Sequence, residues 1–205
     1  MLFAHDTTTA LILAADLVNA EDLTDVGALE VFLDKHQVTP RPPASADDLD
    51  AVLALRPRLR AVWQAATRTE VVAGLVNELL RDSGARPWLV DHGGGFGWHL
   101  HVTAHDAALE HRIAAQAGFA FADVIRLREE GRLRHCEAPD CDAVFADLSK
   151  NQSRRYCDTG NCGNRQHVAA YRERRAARRH LERAWKPLAT WHRCLCGPSG
   201  LHVSH

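Results

Sequence analysis

The sequence lacks any apolar run long enough to cross a membrane, although 46% of its 205 residues are hydrophobic. A spanning helix needs about 20 consecutive apolar residues. Met1 is also followed by no basic and apolar segment of the kind that directs secretion. These absences predict a soluble cytoplasmic protein without a membrane partner, whose six cysteines stay reduced and form no disulfide framework.

The usual sequence patterns of catalysis are missing as well. We find no nucleophile elbow, no convincing pair of carboxylates and no zinc ligand set that leaves an open position. The glycines of the stretch 93–97 lack the lysine and the strand-to-helix setting of a phosphate-binding loop. The chain is therefore not expected to be an enzyme. The alternative is an enzyme in the N-terminal region, with the C-terminal region as its tether.

The net charge of −1 hides a strong separation of charge along the chain. Residues 1–125 carry 9 lysines and arginines against 17 acidic residues, whereas residues 126–205 carry 16 against 9. The stretch 149–186 is the most basic, with 11 basic and 3 acidic side chains. An acidic body with a basic appendage is typical of a regulator that binds nucleic acid.

Four of the six cysteines form two equal loops, Cys136-x4-Cys141 and Cys157-x4-Cys162. Two such loops can supply four thiolates in a tetrahedron, the geometry that zinc prefers when its role is structural. Reduced core thiols are the alternative. The segment around these cysteines has few large apolar residues, as expected where metal binding drives folding. We therefore expect one structural zinc per chain.

The segment around these cysteines resembles the bacterial CGNR zinc finger. The resemblance rests on His135–Cys141, Phe145–Asn151, Ser153–Cys157 and the name-giving Cys162-Gly163-Asn164-Arg165, and it extends over about residues 132–180. It implies DNA binding, with all four cysteines in the positions of the family's metal ligands.

Upstream, Leu11–Asn19 is similar to the opening of the helical ABATE domain that usually precedes this finger. Proteins with both domains are described as stress-induced transcription regulators. Ligand sensing and dimerisation are both candidate roles for the helical domain. Asp16 and Asn19 lie where the resemblance is strongest, and nothing in the sequence specifies a ligand.

The expected fold is mainly α. A multihelical domain with one small β-hairpin is predicted over residues 1–130. A small treble-clef or ribbon-like four-cysteine finger with a long basic helix is predicted over 131–186, and a flexible tail over 187–205.

Several local signals refine this expectation. Thr24 and Ser45 are candidate N-caps for two helices. A break or kink is expected near Pro57, and an interruption of the last N-terminal helix at Gly118. Trp88-Leu89-Val90 and Trp98, Leu100 and Val102 alternate at the strand period and predict the hairpin.

The basic helix carries arginines at spacings of three and four residues, which places them along one face. Arginine forks suit phosphate and can also read guanine. Backbone contacts are expected chiefly from the arginines and base readout from the first helical turn. The candidate DNA-binding residues are Lys150, Arg154, Arg155, Asn164, Arg165, Gln166, Arg172, Arg175 and Arg179. A charged face packed on the acidic domain is the structural alternative.

Two further groups of metal-ligating side chains have no assigned role. The first is a histidine cluster around the hairpin, His92, His99, His101 and His105. The second is the tail pair Cys194 and Cys196.

The leading interpretation is a zinc-dependent DNA-binding transcriptional regulator in the bacterial cytoplasm, associated with the nucleoid. Its expected partner is duplex DNA, and a homodimer and a small-molecule effector are further candidates. A redox sensor that uses the zinc thiolates and an RNA-binding protein are the alternatives, although the basic segment has few interleaved aromatic residues to stack on single-stranded bases.

Overall fold

The computed structural model describes residues 3–39, 41–91, 93, 97–104 and 106–189, with residues 184–189 described by their backbone alone. Within these ranges the chain is mainly helical, as predicted. The helices are α1 (His5–Asn19), α2 (Val26–Lys35), α3 (Ala46–Gln64), α4 (Thr69–Asp82), α5 (Leu109–Arg126) and α6 (Cys162–Ala189). The strands are β1 (Trp88–Val90), β2 (His99–His101), β3 (Leu133–His135) and β4 (Val144–Ala146), and a 3-10 turn (Glu130–Arg132) precedes β3.

The caps of α2 and α3 follow from short polar side chains. Ser45 forms a full capping box with Asp48, as the sequence predicted. The prediction of Thr24 as the cap of α2 is wrong, because Asp25 takes that position and accepts a hydrogen bond from the backbone of Ala28 at 2.8 Å. An aspartate at this position also interacts favourably with the helix dipole.

The break predicted near Pro57 and the interruption predicted at Gly118 do not occur. Helix α3 continues through Pro57, since Leu55 and Leu59 are buried on either side of it and their packing offsets the lost backbone hydrogen bond. Helix α5 likewise continues without interruption through Gly118. A Cβ atom there would lie 2.8 Å from Leu80 Cδ2, so the glycine permits a close approach of α4 and α5.

The hydrophobic core is built around α5, which packs against α1, α3 and α4. At its centre the indole of Trp63 meets the ring of Phe121 edge-on, with ring centroids 5.1 Å apart. The same core includes Leu133, Val144 and Ala146 from β3 and β4. The strands that carry the first cysteine pair are therefore built into the helical core.

Two antiparallel two-stranded sheets complete the described fold. In the predicted hairpin, Trp88 pairs with His101 and Val90 with His99. In the second sheet, Leu133 pairs with Ala146. The two strands of this sheet flank the first cysteine pair.

The chain divides into two compact units, Met1–Cys162 and Gly163–His205. The first contains α1 to α5 and both sheets, and the second contains α6 beyond its first residue. Helix α6 extends through Ala189, beyond the expected end at Lys186. Over the described ranges, no helix combines the length and apolarity needed to cross a membrane. Cys194, Cys196, His92 and His105 lie outside the described residues.

Candidate metal centre

The first cysteine pair lies on the turn that joins β3 to β4. Cys136 directly follows β3, and its backbone N–H donates to the carbonyl of Ala143 at 2.8 Å, which extends the sheet by one bond. The backbone N–H of Cys141 donates to the carbonyl of Ala138 at 3.1 Å. Pro139-Asp140 supplies the turn between the two cysteines. The backbone of each cysteine is thus held in place by a hydrogen bond.

The second pair leads into α6. Cys157 lies in the loop before the helix, and Cys162 is the first residue of the helix, as expected. Asn161 adopts a left-handed conformation with φ of 51°, which asparagine tolerates better than most residues. The backbone N–H of Cys157 donates to Cys136 Sγ at 3.4 Å and so joins the two loops directly.

The four sulfur atoms converge on one point. The Sγ atoms of Cys136, Cys141, Cys157 and Cys162 all lie within 4.8 Å of one another. Cys157 Sγ is 3.7 Å from both Cys141 Sγ and Cys162 Sγ. A tetrahedral zinc with Zn–S bonds of about 2.3 Å requires sulfur–sulfur distances of about 3.8 Å. None of these four cysteines forms a disulfide, and their sulfur positions match this requirement.

The pKa values of the cysteines reflect the crowding of four thiols in a buried site. Burial, together with hydrogen bonds from the neighbouring thiols, raises the pKa of Cys141 to about 12. Burial likewise raises the pKa of Cys157. Four adjacent thiolates would repel one another in a poorly solvated pocket, which favours the protonated thiols. A bound divalent cation would attract the thiolates and so favour their deprotonation.

The site is closed. Cys136, Cys157 and Cys162 are at most 8% exposed, and Cys141 is half-buried. Four protein ligands leave no position for substrate or water, which is the arrangement of a structural rather than a catalytic zinc. The donor set therefore fits one structural zinc per chain.

Asp147 organises the loop between the two cysteine pairs, and sequence reasoning missed it. Its buried carboxylate accepts hydrogen bonds from the backbone and hydroxyl of Ser149 at 3.0 and 2.6 Å and from the backbone of Arg154 at 3.0 Å. The guanidinium of Arg134 lies 3.4 Å away. Burial alone would raise the pKa of Asp147, but these hydrogen bonds and the Arg134 charge hold it below its ordinary value. The Asp-x-Ser spacing, typical of an Asx turn, was the available signal.

Two polar side chains of the helical region hold β4 in place. The amide of Asn19 donates to the carbonyl of Val144 at 2.7 Å and accepts from its N–H at 2.9 Å. The indole N–H of Trp63 donates to the carbonyl of Phe145 at 3.1 Å. The cysteine loops are therefore fixed to α1 and α3 by specific hydrogen bonds as well as by apolar contact. Asn19 thus has a scaffolding role in this structure.

Asp16 has a different environment. It pairs with Lys35 at 2.8 Å and lies 3.2 Å from the Nε2 atom of His36. Burial opposes ionisation, but the hydrogen bonds and charges of these two partners lower the pKa of Asp16. Asp16 also lines an open cleft of about 760 Å³ between α1, α2 and β4.

Among the candidate DNA-binding residues, those near the second cysteine pair engage the finger itself. Arg154 pairs with Asp158 at 2.6 Å, donates to the carbonyl of Tyr156 at 2.9 Å and stacks 4.8 Å from the ring centroid of Phe145. Arg155 donates to Glu137 at 2.6 Å. Both guanidinium groups thus already have intramolecular partners.

The remaining candidates are more accessible. Lys150 is exposed. In the first turn of α6, Asn164 and Arg165 are exposed and Gln166 is half-buried. Further along the same helix Arg172, Arg175 and Arg179 are all exposed.

The comparisons with known proteins cover nearly the whole described chain. The model of the ABATE domain, described as "Putative stress-induced transcription regulator", matches residues 12–130. The model of the CGNR zinc finger matches residues 132–175. These descriptions name a regulator and a zinc finger rather than an enzyme. No protein among the curated sequences matches the chain. The chain belongs to the ABATE family of transcription regulators and carries a CGNR zinc finger after its ABATE domain.

Proposed function

We propose that this protein is a zinc-dependent transcriptional regulator that binds duplex DNA through the arginines of α6. The observation that carries the proposal is the exposed row of Arg172, Arg175 and Arg179. Their spacing of three and four residues brings them onto one face of the helix. Arginine is well suited to bidentate contact with phosphate.

The charge of α6 supports this function. Between residues 163 and 183 the helix carries seven arginines and two glutamates. Of these arginines, Arg178 pairs with Glu182 at 3.1 Å, so it has a partner within the helix. Arg172, Arg175 and Arg179 give a basic surface whose charge attracts the phosphate backbone without regard to sequence.

The residues near the finger are expected to contribute less to DNA binding than the arginines of α6. Lys150 can reach phosphate directly, whereas Arg154 and Arg155 must first give up carboxylate partners in the protein. We therefore assign the main backbone contacts to α6. Base readout, where it occurs, is assigned to Asn164, Arg165 and Gln166 in its first turn.

Zinc supports this function indirectly. We propose Cys136, Cys141, Cys157 and Cys162 as its ligands. Cys162 is both a ligand and the first residue of α6, so the metal would fix the start of the helix. Bound zinc supplies folding free energy to this segment and does no chemistry on DNA.

RNA is the main competing partner, because phosphate contacts alone do not distinguish it from DNA. Single-stranded RNA is bound mostly by stacking of bases on aromatic side chains. Over residues 163–183, α6 carries one aromatic side chain of the Phe, Tyr and Trp type, Tyr171. The composition of the helix thus favours duplex DNA.

The test is fluorescence anisotropy with the zinc-loaded full chain, a mixed-sequence DNA duplex and single-stranded RNA of the same sequence. The Arg172→Ala, Arg175→Ala double variant is expected to weaken duplex binding. The Arg68→Ala, Arg81→Ala double variant removes the same charge from exposed positions of the helical region and should leave binding nearly unchanged. Equal losses in the two variants, or tighter binding of RNA than of duplex, would contradict the proposal.

Arg165 requires a separate test, because it directly follows the metal loop. If its side chain reads a base, Arg165→Ala should cost about 1–3 kcal/mol of binding and relax preference at one position of the site. Zinc content and thermal stability should then stay at the wild-type level. A joint loss of binding, zinc and stability would instead assign Arg165 a structural role.

A further inference from the structure

The open cleft between α1, α2 and β4 is large enough for an organic ligand. Its volume is about 760 Å³, and the residues that line it all belong to the unit Met1–Cys162. Small-molecule sites in proteins commonly have volumes of about 300–1,000 Å³. Since a water molecule occupies about 30 Å³ in the liquid, the cleft has the volume of about 25 waters.

Two helices each present one face to this cleft. The lining residues are Ile12, Ala15, Asp16 and Asn19 on α1 and Ala28, Val31, Phe32 and Lys35 on α2. Both sets follow the spacing i, i+3, i+4, i+7, which places their members along one side of a helix. The cleft is therefore built from two regular helix faces, with β4 beside them.

Part of the apolar lining remains accessible to solvent. Ile12 is 42% exposed and Val31 is 69% exposed. Val144, Ala146 and Leu148 continue the apolar wall along β4 and just beyond it. Removal of apolar surface from water is favourable by about 25 cal/mol per Å². A ligand with an apolar body would thus gain free energy by covering Ile12 and Val31.

Four charged side chains of the cleft form two ion pairs. Asp16 pairs with Lys35 at 2.8 Å, and Arg154 pairs with Asp158 at 2.6 Å. A ligand with a full charge would compete with one member of such a pair, and it would meet the like charge of that member at close range. The two ion pairs therefore favour an uncharged ligand.

Asp16 can accept a hydrogen bond from such a ligand. Among the described residues, Lys35 and His36 both contact its Oδ2 atom, at 2.8 and 3.2 Å. Burial opposes ionisation, but these two partners lower the pKa of Asp16, so it is ionised at neutral pH. An ionised carboxylate has about four acceptor positions, which leaves Oδ1 able to accept from a hydroxyl group.

We propose that this cleft binds an uncharged organic molecule that combines an apolar body with a hydroxyl group. The body lies against Ile12 and Val31, and the hydroxyl donates to Asp16. Cys157 also lines the cleft, so the bound molecule lies next to the loop of the metal centre. The assignment goes beyond the proposed DNA binding, because it involves no residue assigned to the main phosphate contacts.

A second copy of the chain is the competing occupant, since exposed aliphatic side chains also occur at protein–protein interfaces. A stable interface buries about 1,200–2,000 Å² in total. The accessible aliphatic side chains discussed above are two, and they line a concave site. Concave sites with apolar walls and a few polar groups are typical of small-molecule binding.

The experiment is a chemical-shift titration by NMR of the isotope-labelled, zinc-loaded full chain at neutral pH, without DNA. The probes share one aromatic ring: 2-phenylethanol, its methyl ether, 2-phenylethylammonium and phenylacetate. The alcohol should half-saturate the protein at about 10 mM or below and shift backbone signals of α1, α2 and β4. The ether cannot donate a hydrogen bond and should bind at least about tenfold more weakly, as should the two charged probes.

Two variants separate the polar contact from the apolar one. Asp16→Ala should abolish the preference for the alcohol over its ether, whereas Asp50→Ala, an exposed change in α3, should keep it. Val31→Ser should weaken the alcohol and the ether alike by at least about threefold, because it removes apolar contact area. Val71→Ser, at a position of α4 that is 43% exposed, is its matched control and should bind like the wild type.

Four results would overturn the proposal. The first is no binding of the alcohol, or shift changes confined to other parts of the chain. The second is a charged probe or the ether that binds as tightly as the alcohol, and the third is an unchanged preference in Asp16→Ala. The fourth is a dimer by analytical ultracentrifugation that Val31→Ser converts to a monomer, which would assign the cleft to a second copy. Because no DNA is present, each result is independent of whether α6 binds DNA.

Discussion

Asn19, at the end of α1, and Val144, in the strand after the first cysteine pair, exchange two hydrogen bonds across 125 residues of sequence. The side chain of Asn19 thus occupies the place of a third strand beside the backbone of β4. Because Val144 and Ala146 also belong to the main core, the helical region and the cysteine loops form one packed structure. A change that destabilises either part should therefore also lower the stability of the other.

Asn19→Ala should lower the free energy of unfolding by about 2 kcal/mol, because it removes two hydrogen bonds and leaves the backbone polar groups of Val144 unpaired. Urea unfolding followed by far-UV circular dichroism measures the change. Asn77→Ala, at an exposed position of α4, is the control and should have little effect. Equal midpoints for Asn19→Ala and the wild type would show that this pair of bonds does not join the two regions.

Cys157→Ser should lower the zinc content from one ion per chain to nearly none and lower the melting temperature. Its sulfur lies 3.7 Å from two other thiols, so the variant would lose one of four converging ligands. Cys196→Ser, outside the four-cysteine cluster, should keep one zinc. Elemental analysis measures both. A fully reduced, well-folded wild-type protein that contains no metal would contradict the assignment.

The coupling of the two regions gives a further expectation for metal removal. Removal of zinc with a strong chelator should destabilise α1 to α5 as well as the cysteine loops. The link is β4, which follows the first cysteine pair and packs in the main hydrophobic core. Hydrogen exchange should therefore show faster exchange in α1 and α3 after chelation. Unchanged protection there would mean that the helical region is stable without the finger.

Asp147→Asn should destabilise the protein at neutral pH and much less in acid. The pKa of Asp147 is below its ordinary value in the folded protein, so its stabilising contribution is present above the unfolded pKa of about 4 and is lost as the pH falls through the lower folded pKa. Thermal melts of the wild type and the variant between neutral pH and about pH 3 should thus converge in acid. A constant difference across this range would exclude the ionised carboxylate as the cause.

Gly118→Ala should destabilise the protein, although alanine is the better helix former. The added Cβ would lie 2.8 Å from Leu80 Cδ2. Overpacking costs about 1–3 kcal/mol, against up to about 1 kcal/mol gained in helix propensity. In a Leu80→Ala background the same change should become stabilising. A destabilisation that persists in that background would rule out the contact with Leu80 as its cause.

The four-cysteine site and the capping box of α3 could be predicted because their signals are local. Cysteine spacing, the Ser45 cap and the alternation around Trp88 each depend on a few neighbouring residues. The sequence around Gly118 suggested an interruption of the helix. The glycine is there because Leu80 of α4 packs against it, and this contact cannot be read from the sequence of α5 alone. The same limit applies to Asn19 and Trp63, whose partners on β4 become neighbours only after the chain has folded.

The candidate DNA-binding residues show a related limit. The sequence gives the charges of Arg154 and Arg155, but it does not show that Asp158 and Glu137 lie beside them. The arginines of α6 have few acidic residues among them even in sequence, so their exposure could be predicted. This difference is the physical reason for assigning the phosphate contacts to α6.

The most direct test of the central claim is the salt dependence of duplex binding by the intact, zinc-loaded protein. Binding of an arginine to a phosphate releases a counterion, so the slope of log affinity against log salt should change by about one unit for each arginine–phosphate pair that a variant removes. Arg172→Ala and Arg175→Ala should each lower the slope by about that amount, on all sequences alike. No measurable affinity of the zinc-loaded protein for any duplex at low salt, or an unchanged slope in both variants, would contradict the claim that α6 binds DNA.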